Sequence, residues 1–176
     1  TKPSQGLRMD QIISLLVKAG AVLLAVVAVL AGSYEVFSRN NGSTAAGEQS
    51  QLATNIETYY NGGMTARNYS SISNSSAIRA ALVPKSMLNG DGNTIAGPWG
   101  GSTVTISTWG NGFQVAWSNV DGDSCATFAR SQAPQNVNIN GDDIPLSNSD
   151  AATQIANACN ASSGASTASV TFEYAG

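Results

Sequence analysis

A chain of 176 residues fits one modest domain and can bury a core, and only 11% of it is charged, with a formal net charge of −3. Its eight lysines and arginines form no basic stripe, which argues against a nucleic-acid surface built on phosphate neutralisation. Histidine is absent, so imidazole serves neither as base nor as metal ligand, and Ser-His-Asp and Cys-His chemistry are excluded with it.

The first element is apolar from Ile12 to Leu30 apart from Ser14, Lys18 and Gly20. A bilayer core of about 30 Å needs on the order of 20 such residues in a helix rising ~1.5 Å each, and Ile12 to Ala31 supplies them. Lys18 within a span costs ~2.5–3.5 kcal/mol unless it reaches an interface or a partner. That compromise suits a helix with two environments in its life. A removable signal peptide is the alternative, since Lys2 and Arg8 precede the run. Signal h-regions, however, run to ~7–15 residues, and this stretch continues through Gly32 to Phe37 without a clean cleavage signal. The expected division is therefore an apolar N-terminal helix over 1–37 and a globular head over 38–176.

Ser38-Arg39-Asn40-Asn41-Gly42-Ser43 is rich in turn formers and predicts a kink or short melted stretch. Ala45, Gln49, Leu52, Ala53, Ile56 and Tyr60 then recur at helical spacing, giving a helix over 44–60 that ends at Asn61-Gly62-Gly63. Ser38 to Tyr60 thus reads as the continuation of one long helix, loosened near its middle. From Met64 to Asn93 a surface loop is expected, with a short helix around Ile78, Ala81 and Leu82 that Pro84 ends.

Thr103 to Trp109 and Phe113 to Trp117 alternate as two strands of a hairpin across Gly110-Asn111-Gly112. Asp123 to Arg130 predicts a short helix carrying Cys125, capped by Asp123 or Ser124. Asn136 to Asn148 reads as a polar loop. A second helix is predicted from Ser149 to Ala158, packing through Ala151, Ala152, Ile155 and Ala156, with Cys159 at its end. Val170 to Tyr174 closes the chain as a strand. The expected fold is α+β: a long N-terminal helix, its apolar half protruding, packed against an antiparallel sheet of four or five strands.

Cys125 and Cys159 lack the spacing of a metal or redox motif, so a structural disulfide is expected, two buried thiols being the alternative. Closing that loop would contribute roughly 3–4 kcal/mol, and such bonds persist outside the reducing cytosol. Asp121-Gly122-Asp123 and Gly141-Asp142-Asp143 are incomplete as calcium loops and read as solvated turns. Trp99, Trp109 and Trp117 read as core or subunit-contact aromatics. The Asn-x-Ser sequons at Asn41, Asn68, Asn74 and Asn160 are expected by chance in so Asn- and Ser-rich a chain.

The apolar N-terminal helix, its amphipathic continuation through Leu52 and Ile56, Gly97-Pro98-Trp99-Gly100-Gly101 leading into a strand, and the late cysteine pair occur in an order that resembles the type IV pilins, and specifically the type IVb branch. The resemblance implies insertion in the inner membrane as a precursor, trimming by a prepilin peptidase, and extraction by an assembly machine into a helical homopolymer at the cell surface. The cysteine pair would bound a surface-exposed variable region. Two departures stand out. The family's glutamate near the mature N-terminus has no counterpart before Glu35, and if Thr1 is the processed end, Thr1 to Gly6 forms a polar extension. Asp10 is expected to neutralise Lys18 or Arg8 of another subunit instead, solvation of these charges by headgroups being the alternative.

Small residues, Gly20 and Gly32 among them, would let such helices approach closely in a filament core. The resulting expectation is a major pilin serving adhesion, aggregation or stabilisation of mating pairs, with a minor pilin or pseudopilin of a secretion system as the alternative. It would be non-catalytic and without cofactor or metal. Its partners would be its own copies, membrane lipid, the peptidase and assembly machinery, and a host or recipient cell surface, with no nucleic acid bound directly.

Overall fold

The computed structural model describes residues 40–62, 67–160 and 167–176. The apolar run, with Thr1, Asp10, Lys18, Gly20 and Gly32, lies outside the described residues. Among those described, no helix is long and apolar enough to cross a membrane.

Helix α1 occupies 40–61 without interruption, so the break expected to extend through Ser43 is absent from 40–43. Gly42 lies in the helix for a packing reason. A Cβ there would stand 3.3 Å from both the Cβ and Oγ of Ser124, so its lost helix propensity, ~1 kcal/mol, permits close approach of a second helix. The predicted stripe is buried at Ala45, Gln49, Leu52, Ala53 and Ile56. The helix stops at Gly62, whose N–H bonds the Thr58 carbonyl at 2.9 Å and where a Cβ would fall 2.8 Å from that oxygen.

The segment read as a surface loop contributes to the core through Tyr69, Ile72, Ala77, Leu82, Val83 and Met87. Helix α2 (Asn74–Arg79) starts at a reciprocal cap. The Ser73 hydroxyl accepts from Ser76 N, and Ser76 Oγ accepts from Ser73 N at 2.8 Å. It ends well before Pro84, at Ala80, and Ala81 turns the chain with φ +56°. Pro84 instead caps a short 3-10 turn, Lys85–Met87.

Six antiparallel strands form one sheet: β1 (Ile95–Ala96), β2 (Thr103–Trp109), β3 (Gly112–Asp121), β4 (Asn136–Ile139), β5 (Asp142–Pro145) and β6 (Thr167–Tyr174), in the order β1-β2-β3-β6-β4-β5. The β2–β3 turn is tighter than expected, because Trp109 pairs with Gly112 and leaves Gly110-Asn111 as a two-residue loop with Gly110 at φ +53°. The stretch expected to be a loop over 136–148 contains the β4–β5 hairpin. Asn140 and Gly141, at φ +54° and +98°, make the doubly left-handed turn that suits strand twist, and Val137, Ile139 and Ile144 are buried.

Two helices pack with α1 on the apolar sheet face. Helix α3 (Gly122–Ala129) takes Asp121 as its N-cap, two residues before the nearer expected cap, Asp123, which lies in its first turn. Helix α4 (Ala151–Asn160) starts where Asp150 O accepts from Thr153 N and Gln154 N. It packs through Ala151, Ile155, Ala158 and Cys159, whereas Ala152 and Ala156 face solvent. Val104, Ile106, Phe113, Val115, Trp117, Val170 and Phe172 supply the sheet's inner face. The alternate positions Thr105, Ser107, Gln114 and Thr171 form a polar outer face.

Candidate functional site

Three local devices fix the shape that this head presents. The first is a buried polar keystone on α1. Gln49, fully buried, accepts from Trp117 Nε1 at 2.6 Å through Oε1 and donates from Nε2 to the Tyr174 hydroxyl at 3.1 Å. An indole nitrogen only donates, so the orientation of the amide follows from Trp117. Burial, partly offset by the Gln49 hydrogen bond, pushes the Tyr174 hydroxyl up to about 12, keeping it neutral. One side chain thereby registers α1 against two strands of the sheet. Phe113 stacks on Tyr174 at 4.8 Å, extending the packing toward Tyr69, 5.2 Å from Phe113.

The second device is the Gly97-Pro98-Trp99-Gly100-Gly101 turn. Trp99 is buried edge-on against Trp117 at 6.1 Å and Phe128 at 5.4 Å. Gly97 leaves room for this: a Cβ there would meet Trp117 Cζ3 at 2.9 Å. The turn closes through Gly97 N to Ser102 O and Ser102 N to Trp99 O. It docks on a bulge in β3, where Asn119, at φ +51°, donates to Gly101 O at 2.8 Å and Ser102 Oγ donates to Ser118 O. Of the three tryptophans, Trp99 and Trp117 are core and Trp109 is half-buried.

The third is the disulfide between Cys125 on α3 and Cys159 on α4, with Cα atoms 5.7 Å apart. The 34-residue separation brackets the β4–β5 hairpin and α4, so the bond ties a region that is a hairpin plus a helix to the central core. Outward from it lie exposed Asp142, Asp143 and Asp150. On the polar outer face, burial raises the Glu173 carboxyl above its ordinary value. A hydrogen bond from Asn136 opposes this and Asp143 adds to it.

A hollow of about 610 Å³ beside the β2–β3 turn is lined by Arg67, Asn68, Tyr69, Ser70, Thr108 and Asn111 among others. Their side chains offer hydrogen bonds and one cation, with no carboxylate, thiol or imidazole side chain in the lining to act as a base at neutral pH. Among the described residues, no group of three or more acidic or cysteine side chains is placed to hold a metal ion. The sequence reading placed Gln49 in the α1 stripe without giving it a polar role and took the β4–β5 hairpin for a loop. Each carried a signal: an amide inside an apolar stripe, and Asn-Gly between short apolar alternations.

This architecture is that of a type IVb pilin. The crystal structure of a type IVb pilin from Salmonella typhi shares the fold at a TM-score of 0.58 and 24% identity, over 76% of this chain and 99% of that one. The family model described as PilS N terminal matches residues 39–173, and the chain belongs to that family. No curated protein sequence matches it.

Proposed function

We propose that this pilin is the major structural subunit of a type IVb-like pilus, polymerising through residues 1–37. The observation that supports this is a pilin-family head preceded in the same chain by the apolar run Ile12 to Leu30. Burying each such side chain is worth ~1.5–3 kcal/mol, so the run requires lipid before assembly and identical neighbours afterwards. On this reading the subunit passes from the inner membrane to an extracellular fibre, and Asp10 of one copy compensates Lys18 or Arg8 of another. Adhesion, aggregation or mating-pair stabilisation is then the work of the weakly charged head surface, and the subunit itself is non-enzymatic.

Filaments sheared from cells carrying the assembly machinery test this by electron microscopy and mass spectrometry of the subunit. Abundant micrometre-long fibres made of this chain, with its amino terminus retaining Ile12 to Ala31, are expected. Fibres containing it only in trace amounts would assign it as a minor pilin or pseudopilin. A subunit lacking the apolar run would overturn the proposal.

A further inference from the structure

Asn41, Asn61, Asn89, Asn111 and Asn140 each precede a glycine. The pair carries chemistry of its own, because glycine has no side chain to hinder attack of its backbone nitrogen on the preceding carboxamide. An unfolded chain leaves all of them open to that attack. The fold separates them, through what it does with each carboxamide and each following N–H. A fully committed carboxamide looks like that of Asn74, whose Nδ2 donates to Val104 O at 2.9 Å and whose Oδ1 accepts from Ile106 N at 2.7 Å, fastening α2 alongside β2.

Asn41 and Asn61 lie in α1, where helical dihedrals hold the next nitrogen away from the side chain. There Gly42 also packs on Ser124, and the Gly62 N–H is bonded to Thr58 O at 2.9 Å. Asn140 is held at its turn: Oδ1 accepts from Ser169 N at 2.9 Å, and the Gly141 N–H is taken by Asn138 Oδ1 at 3.0 Å. The Asn111 side chain is exposed, but Gly112 is buried, pairs with Trp109 to close the hairpin, and packs so tightly that a Cβ there would meet Tyr174 O at 2.0 Å.

Asn89 is placed differently. Both it and Gly90 are exposed, Gly90 has φ +90° with open space where a Cβ would stand, and among the described residues the Gly90 N–H has no hydrogen-bond partner. The carboxamide is meanwhile fixed in one orientation, Oδ1 accepting from Asp91 N at 3.1 Å and Nδ2 donating to Asp91 Oδ2 at 3.3 Å. The Asp91 N–H thus polarises the carbonyl to be attacked and is in place to hold the oxyanion that forms on it. The Asp91 carboxylate, which also accepts from Asn93 N and Thr94 N, works against deprotonation of the Gly90 nitrogen. On so exposed a loop, solvent and salt screen that charge, and the step is slowed without being blocked.

We propose that Asn89 is a site of self-modification, losing its side-chain amide spontaneously ahead of the other four. The Gly90 nitrogen, after giving its proton to solvent base, bonds to Asn89 Cγ. The Cγ–Nδ2 bond then breaks, and the nitrogen leaves as ammonia with a proton taken from water. Water opens the resulting cyclic imide at either carbonyl, leaving an aspartyl or isoaspartyl residue at position 89. Either product replaces the donor that faced Asp91 Oδ2 with a like charge, which loosens the turn leading into β1. The reaction needs the folded head and water, and does not depend on filament assembly.

Peptide mapping by mass spectrometry tests this on the full-length protein in detergent micelles, sampled during incubation at mildly alkaline pH. Asn89 should convert roughly fivefold or more faster than each of the other four, the folded restraints on those having to open first. In denaturant the five rates should fall within about twofold of one another, since every one is followed by glycine. Isoaspartyl product should also accept a labelled methyl group from a protein isoaspartyl methyltransferase, and Asn89→Gln, an exposed change that leaves the core untouched, should remove most of that label. Native conversion at Asn89 no faster than at any of the other four overturns the proposal. So does a ranking that denaturant leaves unchanged, or labelling undiminished in Asn89→Gln.

Discussion

Opening the Cys125–Cys159 bond removes a constraint whose size follows from the 34-residue separation. In the loop-entropy account a closure of that length lowers the entropy of the unfolded chain enough to contribute about 4 kcal/mol at room temperature. With an unfolding entropy of about 2.1 cal/mol/K per residue, a head of this size should lose roughly 10–14 °C of melting temperature. The assay is differential scanning calorimetry on the oxidised protein, the same protein after reduction under denaturing conditions and refolding with reductant, and the Cys125→Ala/Cys159→Ala variant. The reduced protein isolates the cross-link, since its sulfurs remain; the double variant adds a small packing loss. The loss should be confined to the unfolded reference, so an unchanged circular dichroism spectrum is expected at 20 °C. A fall of under about 3 °C in both samples would refute the reasoning, showing that α3 and α4 restrict the open loop as strongly as the bond does.

Gln49→Leu strands the Trp117 N–H and the Tyr174 hydroxyl in the core, which should cost about 2–4 kcal/mol in chemical denaturation, each orphaned group contributing ~1–3. A neutral result would mean that water or a shifted side chain restores both bonds. Ala81→Gly should stabilise by about 0.5–1 kcal/mol, because Ala81 turns the chain with φ +56° just past α2; no gain in melting temperature would argue against strain there. For Glu173, the folded carboxyl sits above its ordinary value, so the native state holds a proton that the unfolded chain releases, and stability falls as pH rises through that window. Glu173→Gln should therefore melt higher than the parent at pH 7, with the gap closing below about pH 4. Parallel melting curves across that range would remove the argument.

The long-range core was legible where periodicity is strong. The α1 stripe from Ala45 to Ile56 and the β2–β3 alternation are patterns that one buried face imposes directly. The break expected at Asn40 to Ser43 was misplaced in 40–43 because turn-forming residues were weighed by propensity alone; contact between Gly42 and Ser124 belongs to tertiary packing and has no local signature. The β4–β5 hairpin was hidden by polarity. Its strands are four residues long and present only Val137, Ile139 and Ile144 inward, so composition resembled a loop although Asn140-Gly141 marked the turn. Likewise Ala152 and Ala156 were assigned inward because alanine is apolar, whereas the face of α4 follows Ile155 and Cys159.

The amide of Asn74 has one more effect, on how copies fail to join. By occupying Val104 O and Ile106 N it takes hydrogen-bonding groups on the rim of β2 that an approaching extended peptide would use. At the opposite rim Pro145, which has no N–H, blunts β5. Crowded side by side on a fibre, these molecules would otherwise be under constant temptation to zip together by cross-chain β-ladders. Plugging the rims leaves lateral recognition to side chains.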